Sequence, residues 1–118
     1  MAAEPNAKFQ EITSDLEKNP VLLYMKGDRV FPQCGFSAQV VEILESLGVS
    51  YETRDVLADP ELRSALKSFS NWPTFPQLFV ERELVGGCDI VTSMAQSGEL
   101  QDLFRQKALL AGEQLESR

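Results

Sequence analysis

Apolar positions change their spacing along this chain in a way that lays out an alternating order of helices and strands. Phe9, Ile12 and Leu16 fall three and four apart, the spacing of one helix face, with Asn6 as the candidate cap and Lys18-Asn19-Pro20 as the stop. Val21-Leu22-Leu23-Tyr24-Met25 is an unbroken apolar run, which predicts a central strand buried on both sides. Lys26 to Gln33 reads as a loop carrying Gly27 and Pro32. A helix follows, with Phe36, Val40, Ile43, Leu44 and Leu47 expected inward and Gly48 as terminator. Residues 50–55 give a weaker strand.

Asp59-Pro60-Glu61 predicts a helix start: a capping carboxylate, a proline in the first turn, an acid at the positive end of the dipole. Leu62, Leu66 and Phe69 form its inward stripe, and Arg63 and Lys67 share another. After Trp72-Pro73-Thr74-Phe75-Pro76 come strands at residues 77–80 and 83–85. Gly86-Gly87 leads to a helix beginning near Cys88-Asp89. Ser97 is the expected cap of the last helix, which turns Leu100, Leu103 and Phe104 inward. The order α-β-α-β-α-β-β-α-α predicts an α/β fold with a parallel first strand pair and a closing hairpin. Residues 1–6 are expected to be a flexible start, 7–110 one domain and 111–118 a frayed tail.

Composition narrows the chemistry. The 118 residues are 43% hydrophobic and 25% charged, as in a single globular domain. No apolar run approaches the roughly 20 residues of a membrane helix. The first residues lack the basic start and apolar core of a secretory signal. Net charge is −7 with a pI near 4.5, which argues against binding nucleic acid or an anionic membrane. Two cysteines and no histidine cannot make a disulfide framework, nor a zinc site within one chain. A reducing, cytoplasmic setting is expected, with an organelle matrix as the alternative.

Of the two thiols, Cys34 carries the stronger chemical signal. It stands in a strand-to-helix turn, where free N–H groups and the helix dipole favour a thiolate. Lys26 adds a cation nearby, and Gly35 lets a ligand approach the backbone. Three residues on, where a redox pair would place its second cysteine, there is Ser37. A lone thiolate cannot close its own disulfide and must take a sulfur partner from another molecule.

Four blocks together, Met25-Lys26-Gly27, Cys34-Gly35-Phe36-Ser37, Trp72-Pro73-Thr74-Phe75-Pro76-Gln77 and Gly86-Gly87-Cys88-Asp89, resemble the CGFS-type monothiol glutaredoxins in order and spacing, over about residues 7–105. The short single-domain bacterial and organellar branch is the nearest in form. The resemblance implies a thioredoxin-like fold with a four-stranded mixed sheet and flanking helices, and a cis Pro76 facing the thiol. Cys34 would bind glutathione covalently or ligate iron. Lys26, Arg63, the Phe75 backbone and Cys88-Asp89 would hold glutathione. A two-iron two-sulfur cluster would bridge two subunits and pass to acceptor proteins, often with a BolA-like partner; the apo form would be monomeric.

Sulfur counting agrees with this implication. A cluster of this type commonly takes four thiolates, and two Cys34 with two glutathione thiols supply them. Glutathione brings two carboxylates. Lys26 and Arg63 can pair with one; the helix start at Cys88-Asp89 offers donors to the other, with Asp89 available to its ammonium. Plainer readings stay open. Lys26 can be a solvated loop charge, Arg63 and Lys67 a solvent-facing stripe, Trp72 a partner contact or simple packing. Gly86-Gly87 can be turn residues only, and Cys88 packing, with its backbone rather than its sulfur at the ligand. A glutathione-dependent oxidoreductase working through Cys34, at most a weak enzyme, and a metal-free BolA-binding adaptor are the alternative functions. Two departures stand out: Asp28-Arg29 replaces the family's usual Thr-Pro, and Arg82 its usual hairpin glycine.

Overall fold

The computed structural model describes residues 3–109, with side chains from residue 7 onward. Its elements are α1 (Ala3–Lys18), β1 (Val21–Met25), α2 (Gly35–Leu47), β2 (Glu52–Asp55), α3 (Pro60–Ser70), β3 (Gln77–Val80), β4 (Glu83–Gly86), α4 (Cys88–Ser97) and α5 (Glu99–Gln106). The four strands form one sheet in the order β2-β1-β3-β4. β1 runs parallel to β2 and antiparallel to β3, and β3 and β4 form the hairpin. The parallel first pair and closing hairpin are those the pattern predicts, and the whole is the thioredoxin-like mixed sheet that the resemblance implies.

All five residues of β1 are buried, as an apolar run between two helical layers requires. The layers keep separate cores. Leu23, Val40, Leu44, Leu78, Val91 and Phe104 pack on one face, under α2, α4 and α5. Ile12, Leu16, Tyr24, Leu62, Leu66 and Phe79 pack on the other, under α1 and α3. Outside this second layer, Lys8 reaches Asp59 (2.8 Å) and Glu11 (3.1 Å), while Arg54 forks to Glu11 (2.7 Å) and Asp15. These ion pairs tie α1 to β2 and α3 and hold the Glu11 and Asp59 carboxyls below their ordinary values, chiefly through Arg54 and Lys8 respectively.

The structure corrects several local expectations. α1 begins at Ala3, so Asn6 lies within the helix and does not cap it. Pro5 fits there because a first-turn N–H has no helical partner to lose. Phe36 is 61% exposed, because the inward stripe of α2 runs through Ser37, Val40, Val41 and Leu44. A buried hydroxyl thus takes the place that periodicity gives to an aromatic. Gly98, at φ 90°, is the cap residue of α5; Ser97 ends α4, although its Oγ still accepts the Glu99 N–H at 3.3 Å. β2 is shorter than residues 50–55, and β4 extends to Gly86. The expected tail at 111–118 lies outside the described residues. At the hairpin tip Glu81 (φ 47°) and Arg82 (φ 74°) are both left-handed, so the position of the family glycine does require positive φ here.

Candidate functional site

A cleft of about 450 Å³ opens where β1 ends and α2 and α4 begin. Lys26, Cys34 and Phe36 form one wall; Arg63 and the segment Trp72 to Pro76 form another; Gly87, Cys88, Asp89 and Ile90 close it. Of the site residues expected from the sequence, Gly35, Ser37 and Gly86 do not line the cleft.

Cys34 is the N-cap of α2, with extended backbone (φ −151°, ψ 135°) and a partly exposed side chain. Its sulfur makes no capping hydrogen bond, so the N–H groups of the first turn remain free for a negative charge. The thiol accordingly sits below its ordinary pKa. The largest cause is the Ser37 backbone N–H. Partial burial opposes it, and the Phe36 N–H, the Lys26 charge and the Ser37 hydroxyl add to it.

Ser37 is fully buried, and its Oγ accepts the Lys26 backbone N–H at 3.2 Å. The residue in the second thiol's place is therefore a strut between α2 and the end of β1. The following loop is built as tightly. Lys26 O accepts from Gln33 N–H (2.8 Å), and Asp28 Oδ1 accepts from the N–H groups of Val30 (2.9 Å) and Phe31 (2.8 Å). Asp28 thus serves the loop's own backbone. Arg29 turns away, over the Tyr51 ring at 4.3 Å. Gly27, at φ 89°, has Phe31 O only 2.5 Å from where a Cβ would stand. The loop projects Val30 and Phe31 into solvent, each 70% exposed.

Neither Lys26 nor Arg63 is paired with a carboxylate among the described residues, unlike Lys8, Arg29 and Arg54. Arg63 Nε is buried without an acceptor among those residues. Lys67, one turn on, is exposed and lies off the cleft. Trp72 covers Gly87: a Cβ there would sit 3.3 Å from both Trp72 Nε1 and Pro76 O. Gly86, at φ 150°, would drive a Cβ into Ile90 at 2.8 Å. Gly86 is thus demanded by its backbone conformation and packing, while a side chain at Gly87 would be tight against Trp72 and the Pro76 carbonyl. The Phe75–Pro76 peptide is cis, as the resemblance implies. Cys88 is buried and a free thiol, its sulfur 3.8 Å from Thr92 Oγ1. Asp89, beside it, is exposed.

Two residues to which sequence reasoning gave no role in the site hold this geometry. Asp55 Oδ1 accepts the N–H groups of Gly27 (2.9 Å) and Leu57 (2.8 Å), fixing the loop beyond Lys26. Gln77, fully buried, donates from Nε2 to the carbonyls of Trp72 (3.0 Å) and Thr74 (3.2 Å). A polar residue opening a fully buried strand was the available signal for Gln77. Asp55 carried none.

The glutaredoxin family profile matches residues 21–85. The chain is 50% identical over 104 residues to Glutaredoxin 4 of Haemophilus ducreyi, spanning 88% of this chain and 97% of that protein. It is 51% identical over 100 residues to probable monothiol glutaredoxin 2 of Rickettsia conorii, spanning 85% and 94% respectively. The solution structure of a monomeric truncated mutant of Trypanosoma brucei 1-C-Grx1 superposes with a TM-score of 0.80 at 42% identity, covering 86% of this chain and 92% of that one.

Proposed function

Because this chain belongs to the glutaredoxin family, as a monothiol member, we propose that it binds glutathione in the Cys34 cleft and, as a glutathione-bridged homodimer, carries a two-iron two-sulfur cluster to acceptor proteins. The carrying observation is that one cleft gathers an anion-favouring thiol, the cations Lys26 and Arg63, and a second helix start. Glutathione has a matching set: one thiol, two carboxylates, one ammonium. Lys26 and Arg63 suit a carboxylate, the free N–H groups of α4 suit the other, and Asp89 suits the ammonium.

The donor set also fits the cluster as cargo. Among the described residues no three His, Cys, Asp or Glu side chains are grouped to hold a metal ion. Cys88 is buried, which leaves Cys34 as the accessible sulfur of each chain. Two chains and two glutathiones then make four thiolates, and the monomer falls short. A BolA-like protein and iron–sulfur acceptors are the proposed partners. The exposed Val30 and Phe31 give the loop before Cys34 apolar surface of the kind protein contacts cover. A reducing compartment, the cytoplasm or an organelle matrix, keeps such a thiol available.

The test is anaerobic assembly from iron, sulfide and glutathione, followed by visible absorption and sedimentation. A coloured dimer that needs glutathione, and a colourless monomer on cluster loss, are expected. Arg63→Glu removes a charge-assisted pair of about 1.5–3 kcal/mol, so its cluster should need on the order of ten- to a hundred-fold more glutathione. A coloured monomer, or no colour under any condition, rejects the proposal. The lowered Cys34 pKa also suits removal of glutathione from protein mixed disulfides. Efficient turnover of such a disulfide by a chain that never takes up cluster would put that reading first.

A further inference from the structure

Gln77 is a large polar residue at the head of a strand whose four residues are all buried, and it is fully buried itself. Its amide is not a balanced hydrogen-bonding group. Nε2 donates twice, to Trp72 O and Thr74 O, while Oε1 finds no donor among the described residues. The two carbonyls settle which way the amide faces, since only its nitrogen can donate to them. A buried acceptor left without a partner works against stability. What this amide accomplishes is therefore to be sought in what its nitrogen holds.

It holds the cleft's second wall. The segment between the end of α3 and the start of β3 has no ladder of its own. Asn71 closes α3 at φ 56°, Trp72 N–H rests on Ser70 Oγ at 3.2 Å, and Gln77 takes the next carbonyls. Phe75 follows directly on the clamped Thr74 and lines the cleft, where on the glutathione reading its backbone would meet the peptide. Gln77 is not among the residues that line the cleft, so whatever it does to a ligand it does through the loop.

We infer that Gln77 is a positioning residue: by clamping the Trp72 and Thr74 carbonyls it presents the Phe75 backbone at a fixed place opposite Cys34, and so selects peptide-like thiol partners over plain ones. The inference rests on the glutathione reading above. The relevant reaction is exchange: the Cys34 thiolate attacks one sulfur of glutathione disulfide, a Cys34–glutathione disulfide forms, and glutathione thiolate leaves.

The experiment uses Gln77→Met, of similar length but without donors. Trp72 is the single tryptophan, so its quenching by acrylamide reads the order of the loop without any ligand. In the folded variant quenching should rise. Alkylation of Cys34 by iodoacetamide, followed on its own peptide, should be unchanged. Exchange with glutathione disulfide should slow about tenfold, the loss expected for one oriented hydrogen-bonded wall, and exchange with bis(2-hydroxyethyl) disulfide much less. A merely structural role would slow both disulfides equally. That outcome, or unchanged quenching, overturns the inference. Quenching that rises in a chain whose parent shows no preference for glutathione disulfide would sink the glutathione reading and leave the loop clamp standing. If Gln77→Met fails to fold, Gln77→Asn, which keeps the amide one methylene short of the carbonyls, is held to the same outcomes.

Discussion

At the start of α2, Cys34 is itself the cap, with extended backbone and its sulfur facing the cleft. At the start of α4, Gly87 takes the cap, and Cys88 is the first residue inside the helix, buried with its sulfur near Thr92. The two helix ends share one cleft and one residue type, and they differ by a single step of register. A cap side chain stands ahead of the free N–H groups, whereas one inside the first turn is held by its own helix and the packing behind it. The adjoining glycines differ likewise. Gly35 has nothing within 4 Å of where a Cβ would stand, while Gly87 is closed over by Trp72 and Pro76. One end turns its sulfur to the cleft; the other buries its sulfur and leaves its first-turn backbone at the cleft wall.

The strongest way to break this contrast is to remove each sulfur. Cys34→Ser should abolish cluster uptake and all glutathione exchange, because an alcohol is a poor ligand and a poor nucleophile. Cys88→Ser should keep most of both. Visible absorption and mass analysis of glutathione adducts check the pair, and loss of the cluster in a folded Cys88→Ser would show that its sulfur participates.

Ser37→Cys comes next. It puts a thiol one turn along α2, beside Cys34, and weakens the acceptor that holds Lys26 N–H. An intramolecular disulfide and a shorter-lived Cys34–glutathione adduct are expected. An adduct as persistent as the parent's would place the new sulfur out of reach.

Ring contacts at α4 predict that Gly87→Ala costs about 1–3 kcal/mol by overpacking, whereas Gly35→Ala should stay within about 0.5 kcal/mol. Denaturant unfolding separates them. The smallest effect belongs to Lys26→Glu. It withdraws one of the lesser influences on the thiol, so the pH midpoint of Cys34 alkylation should move upward and the thiolate fraction at pH 7 should fall. The sign follows from charge: a cation favours the thiolate and an anion disfavours it. A midpoint that stays in place would mean the helix start acts alone.

Strong local patterns were read correctly, whereas the weaker cap signals at Asn6 and Ser97 were not. The apolar run of β1, the Asp59-Pro60 start of α3 and the Gly48 stop of α2 are local signals, and each appears where expected. Phe36 misled because an apolar residue at a helix start can face a cleft as well as a core. Ser37 was read for the sulfur it lacks, while its part as a buried strut depends on a backbone eleven residues away in sequence. Asp55 holds Gly27, which only the folded chain brings near, whereas Gln77 clamps carbonyls three and five residues back in a turn that no simple signature marks. The cleft residues were legible because a small number of motifs carried them; the supports behind them were not, since no spacing rule marks them.

The hairpin tip has a practical bearing. Glu81 and Arg82 both hold a left-handed backbone that side chains disfavour, in a turn that lines no part of the cleft. Arg82→Gly would relieve about 1 kcal/mol there. That makes the turn a stability reserve, a background on which damaging substitutions around Cys34 can still be carried by a folded protein and their chemistry measured apart from their cost in folding.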